Sequence, residues 1–403
     1  MATVTRTIQN VLLVLAGLCA GLLLGEITVR LLLPEQGRVI RLHRYAESER
    51  GKFTRYDEAL GWAGLEDAEA DFEWADTRHH VVQNRYGFRG TAYDQARSAR
   101  RRIVVLGDSF VWGFGVEDRD LFTARMEREA RSPLEVVNLG VSGYGTDQKL
   151  LLWQAMGRRW SPSEVLLVVS FENDLVDNWY PVRYGYAKPL FKLAANGRLI
   201  LTNTPVPRRS GAWAEPAQQV RARGSEWFDA LTSRSVFANL VVNLSLRSTA
   251  VRRFLESRQL IPPRSEGAIE DQHLYRTVVG GETARAWELL FAIIARLQDD
   301  VSRSGARLSV AVVPSTLQVY PELWDSFIRR FPPPPGVQLD RDMPQKRIAA
   351  FCGSRGIISI DLLAGLREAG RSNPHLYYPV NRHWTASGHA VVARAVLQAL
   401  GER

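Results

Sequence analysis

Residues 103–109 read Ile103-Val-Val-Leu-Gly-Asp-Ser109, four apolar residues that run into a turn and then a serine. A short apolar run bounded by turn residues predicts a strand buried on both faces. Outward from it the alternation repeats. A helix is predicted over 121–130, a strand over 134–139, a helix from Thr146 carrying Leu150, Leu151, Leu152 and Met156, and a strand over 165–170. Much later come a helix over 283–302, a strand over 308–313, a helix over 345–352 and a strand over 357–360. A last helix over 386–400 has Thr385 placed to cap it. Apolar strands alternating with helices predict an α/β fold with a mostly parallel sheet covered on both faces. Such a sheet binds ligands beyond the carboxyl ends of its strands, which is where the turn at 107–109 puts Ser109.

A serine hydroxyl becomes a useful nucleophile only with a base in hydrogen-bond reach and donors aimed at the oxyanion that develops. Alone, Gly-Asp-Ser is an ordinary turn. Its surroundings make it more. The block Val105-Leu-Gly-Asp-Ser-Phe-Val-Trp-Gly-Phe-Gly-Val116 resembles the nucleophile block of the SGNH/GDSL hydrolase family. Asn138-Leu-Gly-Val-Ser-Gly-Tyr-Gly145, after the second strand, resembles its second block, and Phe171-Glu-Asn-Asp174, after the third, its third. His383-Trp384, before the last helix, is similar to the final block. The lead-in Asn84-Arg-Tyr-Gly-Phe-Arg-Gly90 and the apolar N-terminus resemble those of membrane-tethered bacterial members. The resemblance covers about 80–178 and 283–400. It implies a three-layer, SGNH/flavodoxin-like α/β sandwich. It also implies Ser109 as nucleophile, His383 as general base, and an oxyanion hole made by the Ser109 N–H, the Gly143 N–H and the Asn173 side-chain amide. No cofactor or metal is implied. His383-Trp384 is further similar to members that act in polysaccharide O-acetylation.

Two departures stand out. Phe171 occupies a position where the family usually has glycine. The family also usually has an aspartate two or three residues before the histidine, and here those positions are Asn381 and Val380; no acidic residue occurs between Glu368 and Glu402. An asparagine can hold an imidazole tautomer but cannot offset the imidazolium charge. Either Asn381 serves as the third catalytic residue in a weakened triad, or an acid from elsewhere assists, with Asp361 the nearest by topology, or hydrolysis has been lost.

The composition fits a folded protein: 403 residues, 45% hydrophobic and 24% charged. The net charge of +9 comes almost entirely from arginine, since lysine occurs only at Lys52, Lys149, Lys188, Lys192 and Lys346. The arginines are scattered and form no groove, so nucleic acid is not an expected partner. Two cysteines, Cys19 and Cys352, build neither a disulfide framework nor a metal site. Val11 to Gly25 is unbroken apolar or small, and the run continues past Glu26 and Arg30 to Leu33. It is short for a bilayer at first but long enough to Leu33, which predicts a retained signal-anchor. Arg6 precedes it and Arg30, Arg38, Arg41 and Arg44 follow, a count that does not favour an external catalytic domain.

The expected organisation is a membrane anchor over 1–34, a lead-in over 35–100, and a catalytic domain over 101–403 with an insertion at about 178–280. In the lead-in, Trp62, Phe72 and Trp74 are possible packing anchors and His79-His80 reads as surface. The insertion carries Trp179, Tyr180, Tyr184, Tyr186, Trp213 and Trp227. The functional expectation is a serine esterase or acyl-transfer enzyme, single-pass in the inner membrane with an extracytoplasmic catalytic domain, acting on O-acyl groups of carbohydrates. The rival is a non-catalytic glycan- or lipid-binding protein on the same scaffold.

Overall fold

The computed structural model of the chain describes residues 2–32, 51–74, 77–96, 99–184, 186–207, 235–245, 251, 254 and 271–402. The chain divides into two compact units. One is Met1–Glu49 with Gln218–Ser265, and the other is Arg50–Ala217 with Glu266–Arg403.

The strands in chain order are β1 (Thr54–Asp57), β2 (Gly61–Gly64), β3 (Glu69–Trp74), β4 (Thr77–Val82), β5 (Arg101–Gly107), β6 (Leu134–Gly140), β7 (Glu164–Val169), β8 (Val182–Arg183), β9 (Tyr186–Ala187), β10 (Leu190–Leu193), β11 (Leu199–Thr202), β12 (Arg307–Val312) and β13 (Ile358–Ile360). The helices used below are α1 (Ala2–Leu32), α2 (Ser109–Trp112), α3 (Phe122–Glu129), α4 (Thr146–Ala155), α5 (Phe171–Asp177), α6 (Val236–Ser245), α7 (Gly281–Arg303), α8 (Met343–Ser354), α9 (Leu362–Gly370) and α10 (Ala386–Ala399).

The larger unit is built on one sheet, ordered β13-β12-β7-β5-β6, in which every neighbouring pair is parallel. Residues on β6 and β7 are buried throughout, as expected where helices cover both faces. Alternation sorts their side chains into two cores. Val104, Leu106, Val165 and Leu167 face Leu150 and Trp153 of α4, Leu290 and Ile294 of α7 and Ile348 of α8. Ile103, Val105, Leu166 and Val168 face Phe122 and Met126 of α3, Leu366 of α9 and Val392 and Val396 of α10. The three layers and the parallel sheet are those expected from sequence. Thr385 caps α10 as expected, its side chain accepting from the Gly388 N–H.

The lead-in folds into two antiparallel hairpins, β1-β2 and β3-β4. Trp62 and Phe72 are buried in them. His79 is buried too, which corrects its reading as surface; it lies against Phe72, and the Gly115 N–H donates to its Nε2 at 3.3 Å. His80 is exposed, between Asp71 and Glu69. From the insertion, Trp213 and Trp227 lie outside the described residues.

The N-terminal expectation needs correcting. Among the described residues no helix is long and apolar enough to cross a membrane. This overturns the anchor over 1–34, the membrane-tethered reading of the family resemblance, the membrane as a partner and the inner-membrane placement. Although α1 has 31 residues, its unbroken apolar run is only the 15 from Val11 to Gly25, against about 20 for a bilayer span. The remainder is committed to polar work. Glu26 pairs with Arg30 and accepts from the Ser235 hydroxyl at 2.7 Å and from the Val236 and Phe237 N–H groups at 3.1 and 2.9 Å. It thereby caps the start of α6. Burial opposes its charge, yet these bonds hold the carboxyl down at about 2.

Candidate active site

Strand β5 lies between β7 and β6, so the turns after these three strands sit side by side at one edge of the sheet. The first carries Ser109, at the start of α2. Asp108 caps that helix, its carboxylate accepting from the Phe110 N–H at 3.0 Å. Gly143 follows β6. It is buried with a φ of +81°, a conformation that glycine enters without strain. Asn173 follows β7, half-buried in the first turn of α5.

His383 reaches this edge from the loop before α10. Its Nε2 lies 2.7 Å from the Ser109 hydroxyl. On the other side of the ring, Nδ1 lies 3.0 Å from the main-chain carbonyl of Asn381 and 3.2 Å from its side-chain oxygen. That side-chain oxygen also accepts from the His383 N–H at 2.8 Å. The carbonyl reaches back because Arg382 takes a left-handed conformation, φ +60°, uncommon for a residue with a side chain. With Nδ1–H donating to Asn381, Nε2 is left as the acceptor for the serine proton. Asp361 is placed elsewhere: its carboxylate caps α9 by accepting from Leu363 and Ala364 N–H. Among the described residues, the polar contacts of the His383 ring are with Ser109 and Asn381 alone.

The imidazole is caged by aromatic rings. Phe114 stacks on it at 4.3 Å and 19°, and Phe110 lies 4.8 Å away. Burial pushes its pKa down to about 4, against the bond to Asn381, so at neutral pH the ring is a free base. Phe114 is held in turn by Arg89, whose fully buried guanidinium donates to the carbonyls of Gly113 at 2.7 Å and Val116 at 2.8 Å. Tyr378 donates to the Gly115 carbonyl at 2.6 Å. Gly115, at φ +91°, has no room for a side chain, because a Cβ there would meet the Tyr378 ring at 2.6 Å. On the opposite flank, Trp62 donates from its indole to the Ser142 carbonyl at 3.1 Å and packs on Tyr144, which braces the turn holding Gly143. Two residues singled out by sequence have core roles: Trp384 is wholly buried against Phe110, and Phe171 is wholly buried against Tyr275.

Sequence reasoning missed the charges beneath the site. Lys149 and Asp174 are fully buried and paired, with Nζ 2.8 and 2.9 Å from the two carboxylate oxygens. Asp108 lies 3.7 Å from the same ammonium. A second buried pair, Lys188 with Asp147, lies farther along the insertion side. The available signal was Lys149 itself, one of five lysines in the chain and directly before Leu150-Leu-Leu152.

Comparison with known proteins bears on part of the chain. The family described as SGNH hydrolase-like domain, acetyltransferase AlgX, matches residues 271–403, which include His383. The probable alginate O-acetylase AlgJ of Pseudomonas syringae pv. tomato is 29% identical over 140 residues, a stretch that covers 33% of each protein. Among solved structures, a G-D-S-L family lipolytic protein from Desulfitobacterium hafniense shows 12% identity and a TM-score of 0.37, covering 74% of this chain and 99% of its own. An acetylxylan esterase from Geobacillus stearothermophilus shows 11% identity and the same TM-score of 0.37, covering 77% and 98%. Over its last third, then, the chain is similar to SGNH hydrolase-like acetyltransferase domains.

Proposed function

We propose that the chain is a serine acyl-transfer enzyme, an esterase or O-acyltransferase. The observation that carries this reading is the 2.7 Å contact between the Ser109 hydroxyl and the free Nε2 of His383. Ser109 Oγ attacks the ester carbonyl carbon while Nε2 takes its proton. The carbonyl oxygen becomes an oxyanion, which the Ser109 and Gly143 N–H groups and the Asn173 amide stabilise, each such donor contributing about 3 kcal/mol. Collapse breaks the ester C–O bond, and Nε2 returns the proton to the leaving alcohol. The acyl-serine then meets water or a second hydroxyl, which gives its proton to Nε2 and attacks the acyl carbon. The acid or the new ester leaves, and the proton passes back to Ser109.

The proposed substrate class is O-acylated carbohydrate, supported by the likeness of residues 271–403 to an acetyltransferase domain and by the alginate O-acetylase relative. The test is labelling of the full chain with a fluorophosphonate, together with turnover of p-nitrophenyl acetate. Ser109→Ala should lose both with its fold intact. A wild-type protein that neither labels nor turns over would sink the reading in favour of a non-catalytic glycan- or lipid-binding role.

A further inference from the structure

The Lys149 side chain has no exposed surface. Besides Asp174, its ammonium donates to the main-chain carbonyl of Val168, near the end of β7, at 3.1 Å. The two acids it faces are themselves fixed to turns. Asp108 caps α2 through the Phe110 N–H, and Asp174 accepts from the Ser170 N–H at 2.8 Å, at the start of α5. Lys149 belongs to α4, and its own N–H bonds the Gly145 carbonyl at 3.1 Å, two residues beyond Gly143. One buried ammonium therefore touches the Ser109 turn and the Asn173 turn, and it stands on the helix that follows the Gly143 turn.

Desolvation cancels much of the attraction inside such a cluster, so burying it is a poor route to stability. What fixed charges supply is geometry, and an error of about 1 Å in a reacting group costs about 100-fold in rate. We propose that Lys149 is a positioning residue for acyl transfer, setting the spacing between the Ser109 turn and the Asn173 turn by its simultaneous contact with Asp108 and Asp174. This rests on the Ser109–His383 reading above. The cluster is asymmetric. Asp174 takes both close contacts, while burial draws the Asp108 carboxyl up to about 6 against the pull of Lys149, consistent with its longer 3.7 Å approach.

The test compares the full chain with Lys149→Met/Asp174→Asn, which removes both paired charges while keeping similar shapes. Thermal midpoint, kcat and KM for p-nitrophenyl acetate, and amide hydrogen exchange in 108–112 and 170–174 are the readouts. The double variant should melt close to wild type. Its kcat should fall about tenfold or more with KM within about twofold, and both turns should lose protection together. Unchanged kcat, or protection lost in one turn only, would overturn the proposal. If the double variant does not fold, Asp108→Asn breaks only the longer contact and should lower kcat several-fold at constant KM; wild-type kcat there overturns the proposal as well. A wild type inert to ester and fluorophosphonate would sink the Ser109–His383 reading, while the exchange result still decides whether the two turns are tied.

Discussion

Behind Ser109 the loops meet buried charge: Lys149 bonds Asp174 at 2.8 Å and lies 3.7 Å from Asp108, all three buried. Behind His383 the loop is held by neutral bonds and rings. The Tyr378 N–H donates to the His383 carbonyl at 2.9 Å and the Thr385 N–H to the Leu376 carbonyl at 3.0 Å, while Phe110 and Phe114 close around the imidazole and the wholly buried Trp384 backs Phe110. The difference teaches what each half contributes. On the reading proposed above, the charged half sets where the oxyanion donors would stand. The apolar half keeps the imidazole neutral and its Nε2 available, but it would offer little to the imidazolium of the proposed reaction, since among the described residues the only polar support on that side of the ring is the Asn381 carbonyl and amide oxygen.

The largest expected effect breaks both halves at their meeting point. Ser109→Ala should reduce ester turnover by about 10⁴-fold or more, read with p-nitrophenyl acetate at matched folded protein. Turnover equal to wild type would place the chemistry elsewhere.

Next comes pH, which reads the apolar cage. A base must be unprotonated to act, and burial lowers the His383 pKa to about 4 from an ordinary 6.5. In an Asp108→Asn background, which removes the buried carboxyl drawn up to about 6, the rate of fluorophosphonate labelling should therefore stay level from pH 7 to 5 and fall only on approaching about 4. An uncaged histidine would instead lose roughly 25-fold by pH 5. A bend near 6.5 would show that the ring is wetter than its surroundings imply.

Asn381 sharpens the comparison by moving charge to the neutral side. Its side-chain oxygen acts only as acceptor toward His383, so Asn381→Asp can keep those bonds while adding a countercharge beside Nδ1. We expect kcat to rise about tenfold and the bend in the pH profile to move up. Asn381→Ala keeps the main-chain carbonyl at 3.0 Å and should cost less than about tenfold. A loss near 10⁴-fold in that variant would make the side chain, not the carbonyl, the partner of the ring.

The smallest effect lies just outside the site. Thr385→Ala removes the cap of α10 and should lower stability by about 1 kcal/mol, measured by denaturant unfolding, with kcat little changed. A large loss of kcat would mean that the cap also fixes His383, two residues before it.

Much of this was legible without coordinates. Buried parallel strands have to be short apolar runs, and the helices that cover them have to repeat an apolar stripe, so the elements at 101–107, 134–140, 164–169, 307–312 and 386–399 were readable from local pattern alone. Ser109, Gly143 and Asn173 were marked by the resemblance of their blocks to SGNH/GDSL sequences, since each alone reads as an ordinary turn or cap residue. The apolar N-terminus was legible and misread: its composition suggested a span, while the bonds from Glu26 to residues 235–237 join positions some two hundred residues apart, which no local pattern records. The tertiary structure alone brought the main-chain carbonyl of Asn381, beside its side-chain oxygen, to Nδ1 of His383, since a main-chain atom carries no sequence signature. It also decided that Asp361 caps a helix, and that Lys149, Asp108 and Asp174 converge. Those contacts depend on which strand ends lie side by side, and that order, β7-β5-β6, is set by sheet pairing across distant segments of the chain.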